Sequence, residues 1–285
     1  MTHVSRVASG FQGSGEFFLI AGPCVLESDE LNLRIGDALA RIASETGLPI
    51  LYKASFDKAN RSQPGAARGP GLERGLRSLA RVRDTCGLPV ITDVHEVQQA
   101  AAAAQVCDAL QIPAFLCRQT DLIEAAAATG RLVNLKKGQW MAPEQMAGAV
   151  DKARRAGAAG VTVTERGTFF GYGDLVVDMR AFARLRQATH APVIFDGTHS
   201  VQRPGLDAGA SGGDPEFTRP LVLAAVAAGA DALFLEVHPE PQQAPSDGRN
   251  MLPLDALQPL LRDVMAVRAA LDASLIGAAA GRSTV

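Results

Sequence analysis

Six cations, Lys53, Lys58, Arg61, Lys136, Lys137 and Arg166, stand at or just past the ends of apolar runs in a chain of net charge -2. Three of them fall within LYKASFDKANRS, Leu51 to Ser62, among Ser55, Asp57, Asn60 and Ser62. Guanidinium forks and ammonium groups set among small hydroxyls and amides suit phosphate or carboxylate oxygens. So many like charges on one rim would repel one another unless an anionic ligand offset them, and the cluster therefore predicts anion binding. A solvated surface loop fits Lys137, and to a lesser degree Lys58. It fits Lys53 and Lys136 less well, because each follows an apolar run directly. Schiff-base chemistry at a lysine is a second option.

A separate set, Cys24, His199, Glu236 and Asp247, offers one thiolate, one imidazole and two carboxylates. That mixture suits a first-row transition metal such as iron(II), zinc or manganese, and the thiolate disfavours magnesium or calcium. Three anionic ligands around a dication leave one excess negative charge, which neighbouring lysines would offset. Taken singly, these residues have plainer readings. A buried cysteine is usually inert packing, and Asp247 in SDGRN could simply form a turn.

The elements that must position both sets are eight short apolar runs: FFLIAGPC, PILYKAS, PVITDVH, DALQIPA, RLVNLKK, GVTVTER, PVIFDGTH and ALFLEVH. Helix-length segments lie between and after them, at Asp29–Thr46, Leu72–Thr85, Gln119–Thr129, Pro143–Ala156, Leu175–Ala188, Glu216–Ala228 and Leu254–Ala273, with a shorter helix after Glu96. Eight alternations predict an α/β fold, a single-domain (β/α)8 TIM barrel, rather than an open doubly wound sheet. No Gly-rich dinucleotide fingerprint follows the first strand. The expected layout is an extension over 1–16, the barrel over 17–275 and a flexible tail over 276–285. The strand ends carry Cys24, Lys53, Ser55, Asp93, His95, Gln111, Lys136, Lys137, Glu165, Arg166, Asp196, His199, Glu236 and His238. In a barrel these ends open onto one face, where active sites are built.

Composition agrees. Hydrophobic content of 47% and charged content of 20% are ordinary for a globular protein, and near-neutrality gives no electrostatic case for nucleic acid or a membrane surface. No apolar run reaches the ~20 residues a membrane span requires, nor is there a signal-peptide core, so a cytoplasmic location is expected. The four cysteines form no CxxC pair and read as reduced thiols.

The motifs AGPCVLES, KASFDKANRS, RGPGLE, TDVHE, QIPAFLCRQTDL, NLKKGQ, RGTFFGYGDLVVDMR, FDGTHSVQ, GASGG and FLEVHPEPQQAPSDGRNMLPL closely resemble the 3-deoxy-D-manno-octulosonate 8-phosphate synthase family, from about Phe17 to Leu271. The resemblance implies a (β/α)8 barrel, usually a homotetramer. It implies a transferase that condenses phosphoenolpyruvate with D-arabinose 5-phosphate and water, releasing phosphate, on the way to the Kdo sugar of lipopolysaccharide. By the same resemblance Lys53, Lys58, Gln111, Lys136 and Arg166 bind phosphoenolpyruvate. Asn60, Arg61 and Ser62 bind the arabinose phosphate, Asp93 contacts the sugar chain, and Ser55 belongs to the same pocket. Lys53, Lys58, His199 and Asp247 are the candidates for the chemistry. The family has metal-requiring and metal-free branches. Cys24 marks the former, with Cys24, His199, Glu236 and Asp247 as its metal ligands. Two other readings are weighed. A related synthase using erythrose 4-phosphate resembles KPRT where this chain has KANRS, and a non-catalytic sugar-phosphate-binding barrel has no reason to keep these lysines and metal ligands together.

Overall fold

A computed structural model describes residues 3–61, 65–207 and 210–280. Eight parallel strands, β1 (Phe18–Gly22), β2 (Ile50–Lys53), β3 (Val90–Asp93), β4 (Ala109–Ile112), β5 (Leu132–Lys136), β6 (Gly160–Glu165), β7 (Val193–Asp196) and β8 (Ala232–His238), pair in chain order. The ring closes where β8 pairs with β1, from Phe18↔Ala232 to Gly22↔Glu236. This is the expected barrel, and each of the eight apolar runs supplies its strand. Strands of a parallel barrel are covered on both faces, which is why they read as continuous apolar runs.

Side chains alternate along each strand, and that alternation builds the site. The inward positions nearest the strand starts, among them Phe18, Ile20, Leu51, Ile91, Leu132 and Ile194, form one apolar cluster. Two residues further along, the inward positions become Lys53, Asp93, Asn134 and then Lys136, Asp196 and, beyond Phe234, Glu236. The interior therefore changes from apolar floor to polar mouth within one strand length. A helix over His3–Phe11 closes the floor, its Val7 and Phe11 buried in that same cluster. The outward positions pack against the surrounding helices in the main core. Ser28 caps the first of these, Asp29–Thr46, accepting a hydrogen bond from Leu31 N, and Gly47 ends it at φ 69°.

Three local features differ from the sequence expectation. Residues 1–16, expected only as an extension preceding the barrel, carry a helix over His3–Phe11 that the sequence reading did not specify. The helix expected from Leu175 begins at Arg180. Leu175 and Val176 instead form one arm of a small hairpin, Thr168–Gly171 with Asp174–Val176, and Asp178 starts the helix by accepting from Arg180 N. The β-branched Val176 and Val177 favour the extended arm. The last helix runs from Leu254 to Ala280, with 281–285 outside the described residues. A second hairpin pairs Gln202–Asp207 with Ala210–Gly213. Among the described residues no helix is long and apolar enough to cross a membrane.

Candidate active site and metal centre

A cavity of about 1510 Å³ opens at the carboxyl ends of the strands. Lys53, Lys58, Asn60, Arg61, Asp93, Gln111, Lys136, Arg166, His199, Glu236 and Asp247 line it. Cys24 and Ser55 are buried directly against this group. Ser62 lies outside the described residues. Apart from Ser62, the structure thus brings every sequence-predicted site residue to one mouth.

Lys53 is the hub of the deep wall. Its Nζ donates to Ser55 Oγ at 2.8 Å and to the Cys24 carbonyl at 3.3 Å, and it stands 3.5 Å from both Asp93 Oδ1 and Glu236 Oε1. Ser55 Oγ donates in turn to Asp93 Oδ1, whose other oxygen bonds His95 Nε2 at 2.9 Å. Burial works against the Asp93 charge, but Lys53, His95 and Lys58 hold its carboxyl well below the usual range. The close approach of β1 to β2 depends on Gly22, where a Cβ would lie 2.1 Å from the Lys53 carbonyl oxygen. On the opposite wall Lys136 Nζ donates to Asp196 Oδ2 at 2.6 Å and rests 3.5 Å above the Phe234 ring. Burial lowers the Lys136 pKa, and Asp196 only partly offsets it.

Cys24, Glu236 and Asp247 each offer a ligand atom, all within 4.8 Å of one another. His199 stands beside this trio rather than within it, with Nε2 3.7 Å from Glu236 Oε1. Its Nδ1 bonds Asp196 Oδ2 at 2.9 Å, so with that nitrogen donating, Nε2 turns an electron pair toward a carboxylate. Both Glu236 oxygens are buried without a hydrogen-bond partner. Two carboxylate oxygens without a hydrogen bond, with the Lys53 ammonium at 3.5 Å beside them and a thiol, a second carboxylate and an imidazole nitrogen close by, fit a site that holds a cation. Burial, reinforced by Glu236, pushes the Cys24 thiol far above its ordinary value, and its Sγ lies 3.3 Å from Asp247 Oδ2. A cation among these groups would reverse that shift. Asp247 also fulfils the plainer reading: it sits at φ 52° and its carbonyl accepts from Asn250 N and Met251 N.

Arg166 is buried. Its Nη2 donates to Gln202 Oε1 at 2.7 Å, while Nη1 has no hydrogen-bond partner. Gln111 Oε1 accepts from Asn134 at 3.0 Å. Nearer the opening, Arg61 donates to Ser246 Oγ at 2.7 Å and to the Ala67 carbonyl, and Asn60 is exposed. Lys58 is half-buried. Burial opposes its charge, yet Cys24, Glu236, Asp93 and Asp247 raise its pKa above the ordinary lysine value.

Lys137 corrects the sequence reading. Rather than lying in a solvated loop, it is 0% exposed. Alternation explains the error, since Lys136 points into the barrel and Lys137 therefore points away from it, under the loops. There its Nζ donates to the carbonyls of Gly138, Met141 and Gly167 and stands 3.5 Å from Glu165 Oε2. Sequence reasoning also missed Gln139, Gln202 and Ser246, and gave His95 and Asp196 no role beyond their place at strand ends. All but Asp196 line the cavity. The available signal for Gln202 was its position three residues after His199.

The family model described as "DAHP synthetase I family" matches residues 1–272. A Magnetococcus marinus protein named 2-dehydro-3-deoxyphosphooctonate aldolase is 55% identical over 249 residues, covering 87% of this chain and 86% of that protein. Relatives of the same name from Rhodopseudomonas palustris and Trichlorobacter lovleyi are 54% and 50% identical. They cover 91% and 94% of this chain, and 91% and 99% of their own lengths. The chain belongs to the DAHP synthetase I family.

Proposed function

We propose that this chain condenses phosphoenolpyruvate with D-arabinose 5-phosphate and water, giving 3-deoxy-D-manno-octulosonate 8-phosphate and inorganic phosphate. One observation carries the reading: Lys53, Lys58, Arg61, Lys136 and Arg166 converge on a single cavity beside a Cys24/Glu236/Asp247 cluster. The name borne by the relatives, 2-dehydro-3-deoxyphosphooctonate aldolase, supports it.

In this reading Lys136 and the free Nη1 of Arg166 take the phosphate of phosphoenolpyruvate. Lys53, Lys58 and Gln111 face its carboxylate and reacting carbons. Asn60, Arg61 and Ser62 take the sugar phosphate nearer the opening, Asp93 contacts the sugar chain, and Ser55 holds Lys53 and Asp93 together. Binding both substrates in register makes the encounter effectively intramolecular, worth up to roughly 7–11 kcal/mol of barrier in favourable cases. C3 of phosphoenolpyruvate bonds to the aldehyde carbon, water adds at C2, and the hemiketal phosphate loses phosphate by C–O cleavage. Charge builds on the departing phosphate, where the buried Lys136 ammonium and Arg166 guanidinium already point. None of the three lysines needs to become a Schiff base.

The donor set fits a divalent transition metal, iron(II), zinc or manganese, held by Cys24, His199, Glu236 and Asp247. When bound, it would polarise an aldehyde or water oxygen as a Lewis acid. The same reading makes the protein a cytoplasmic homotetramer. Phe170 at 93% exposure and Tyr172 at 104% crown the 168–176 hairpin and fit a surface that further copies cover. Sedimentation that finds only monomer would remove the tetramer, and fractionation to the cell exterior would remove the location. The activity is tested by phosphate release with each sugar phosphate. Turnover with arabinose 5-phosphate is expected. Turnover with erythrose 4-phosphate alone, or none after metal reconstitution, would overturn the proposal.

A further inference from the structure

Two of the cavity's charged groups are two-headed, and each has one head tied by the same amide. Arg166 Nη2 donates to Gln202 Oε1 at 2.7 Å, and Gln202 Nε2 donates to Asp247 Oδ1 at 2.7 Å. The tie leaves Arg166 Nη1 buried without a partner. It leaves Asp247 Oδ2 beside Ser246 Oγ at 3.0 Å and Cys24 Sγ at 3.3 Å. One head of each group is thereby withdrawn and the other presented, Nη1 for an anion and Oδ2 toward the Cys24/Glu236 cluster. The amide itself has a single workable orientation. Turned over, it would aim its NH2 at the guanidinium and its oxygen at the carboxylate.

Gln202 is suited to hold such a position. It is 8% exposed. Its backbone N–H closes the short turn His199–Val201 by donating to the His199 carbonyl. Across the 202–213 hairpin it pairs with Gly213, where a Cβ would lie 1.8 Å from Asn250 Oδ1. The backbone is thus fixed from two sides before the side chain makes any contact.

We propose that Gln202 is a positioning residue that binds Arg166 and Asp247 into one hydrogen-bonded unit, so that a single amide sets both the phosphate-binding and the metal-binding halves of the site. The inference rests on the phosphate and metal assignments made under Proposed function. It predicts that removing the amide weakens two ligands that share no ligating residue.

The test is Gln202→Leu, with manganese(II) titrated in the absence of substrate by electron paramagnetic resonance, and phosphoenolpyruvate titrated into metal-free protein by calorimetry. Each affinity should fall about 10-fold, the loss of one hydrogen bond to a charged group. A residue that only packs would lower the melting temperature and leave both constants unchanged, and that result overturns the proposal. Loss of one affinity alone also overturns it. Should Gln202→Leu fail to fold, Gln202→Met keeps the length and the apolar stem and carries the same expectation. Failure of both to fold assigns Gln202 to the fold and overturns the proposal as well. A parent protein that binds neither ligand removes this inference together with the proposed function. A parent that binds both, with variants that match it, removes the inference alone.

Discussion

Replacing Lys137 with Met should destabilise the protein far more than a loop substitution would. The Lys137 ammonium is fully buried among the carbonyls of Gly138, Met141 and Gly167, at 3.2, 3.4 and 3.5 Å, and Thr168 Oγ1 at 3.3 Å. These acceptors belong to the loop after β5 and the turn after β6, so one side chain fastens the segment that follows Arg166 to the loop after β5. Its counter-charge is Glu165, 1% exposed, whose pKa burial already raises despite Lys137. Removing one partner of a buried pair costs about 3–5 kcal/mol, because the remaining charge is left uncompensated. At about 2–4 °C per kcal/mol for a domain of this size, the melting temperature should drop on the order of 10 °C. Part of the cost is avoidable if Glu165 takes up a proton. The deficit of Lys137→Met should therefore be larger at mildly alkaline than at mildly acidic pH, and adding Glu165→Gln should restore part of it. Thermal melts followed by circular dichroism at both pH values read all three quantities. A variant that melts within ~2 °C of the parent, or a double variant no better than the single one, would refute the reasoning.

Gly22→Ala places a Cβ 2.1 Å from the Lys53 carbonyl oxygen. Displacement of the β2 end should lower kcat/KM by about 100-fold, the cost of misplacing a reacting group by roughly 1 Å, and steady-state kinetics showing parental activity would contradict it. A strong chelator should abolish phosphate release, manganese or iron(II) should restore it, and Cys24→Asn should remain folded and partly active. Full turnover by metal-stripped protein would count against the cation. Asp93 is held below the ordinary carboxylate value of ~3.9. Its contribution to stability is accordingly complete above about pH 5 and lost as pH falls through ~4 toward the lower folded value. Asp93→Asn should flatten that acid limb in urea titrations, and an unchanged slope would argue otherwise.

Legibility in the sequence followed the physics of alternation. The strands were readable because parallel strands covered on both faces give unbroken apolar runs, and the ring of polar ends was readable because those runs stop abruptly. Lys53 and Lys136 could be placed from this alone. Lys137 could not, since a lysine after a strand looks the same whether it turns to solvent or beneath a loop. Leu175–Val176 misled because LVVDM and the helix after it share an apolar period, and only the pairing with 168–171 separates them. The His3–Phe11 helix has no strand before it to set a rhythm. Cys24, Glu236 and Asp247 lie more than two hundred residues apart at the extremes. As ligands they became visible through the resemblance and through barrel closure, not through spacing. Gln202 carries no charge, and only its place three residues after His199 could have marked it.

The helix against the barrel floor has a kinetic consequence. With Val7 and Phe11 wedged under the strands, the chamber is closed from below among the described residues, and the doorway lies at the carboxyl ends of the strands. On the proposed roles, the groups for the three-carbon acid lie at the back wall, while Asn60 and Arg61 stand on the threshold. Traffic must then form a queue, in which the first guest in sits deepest and the later arrival shuts it inside.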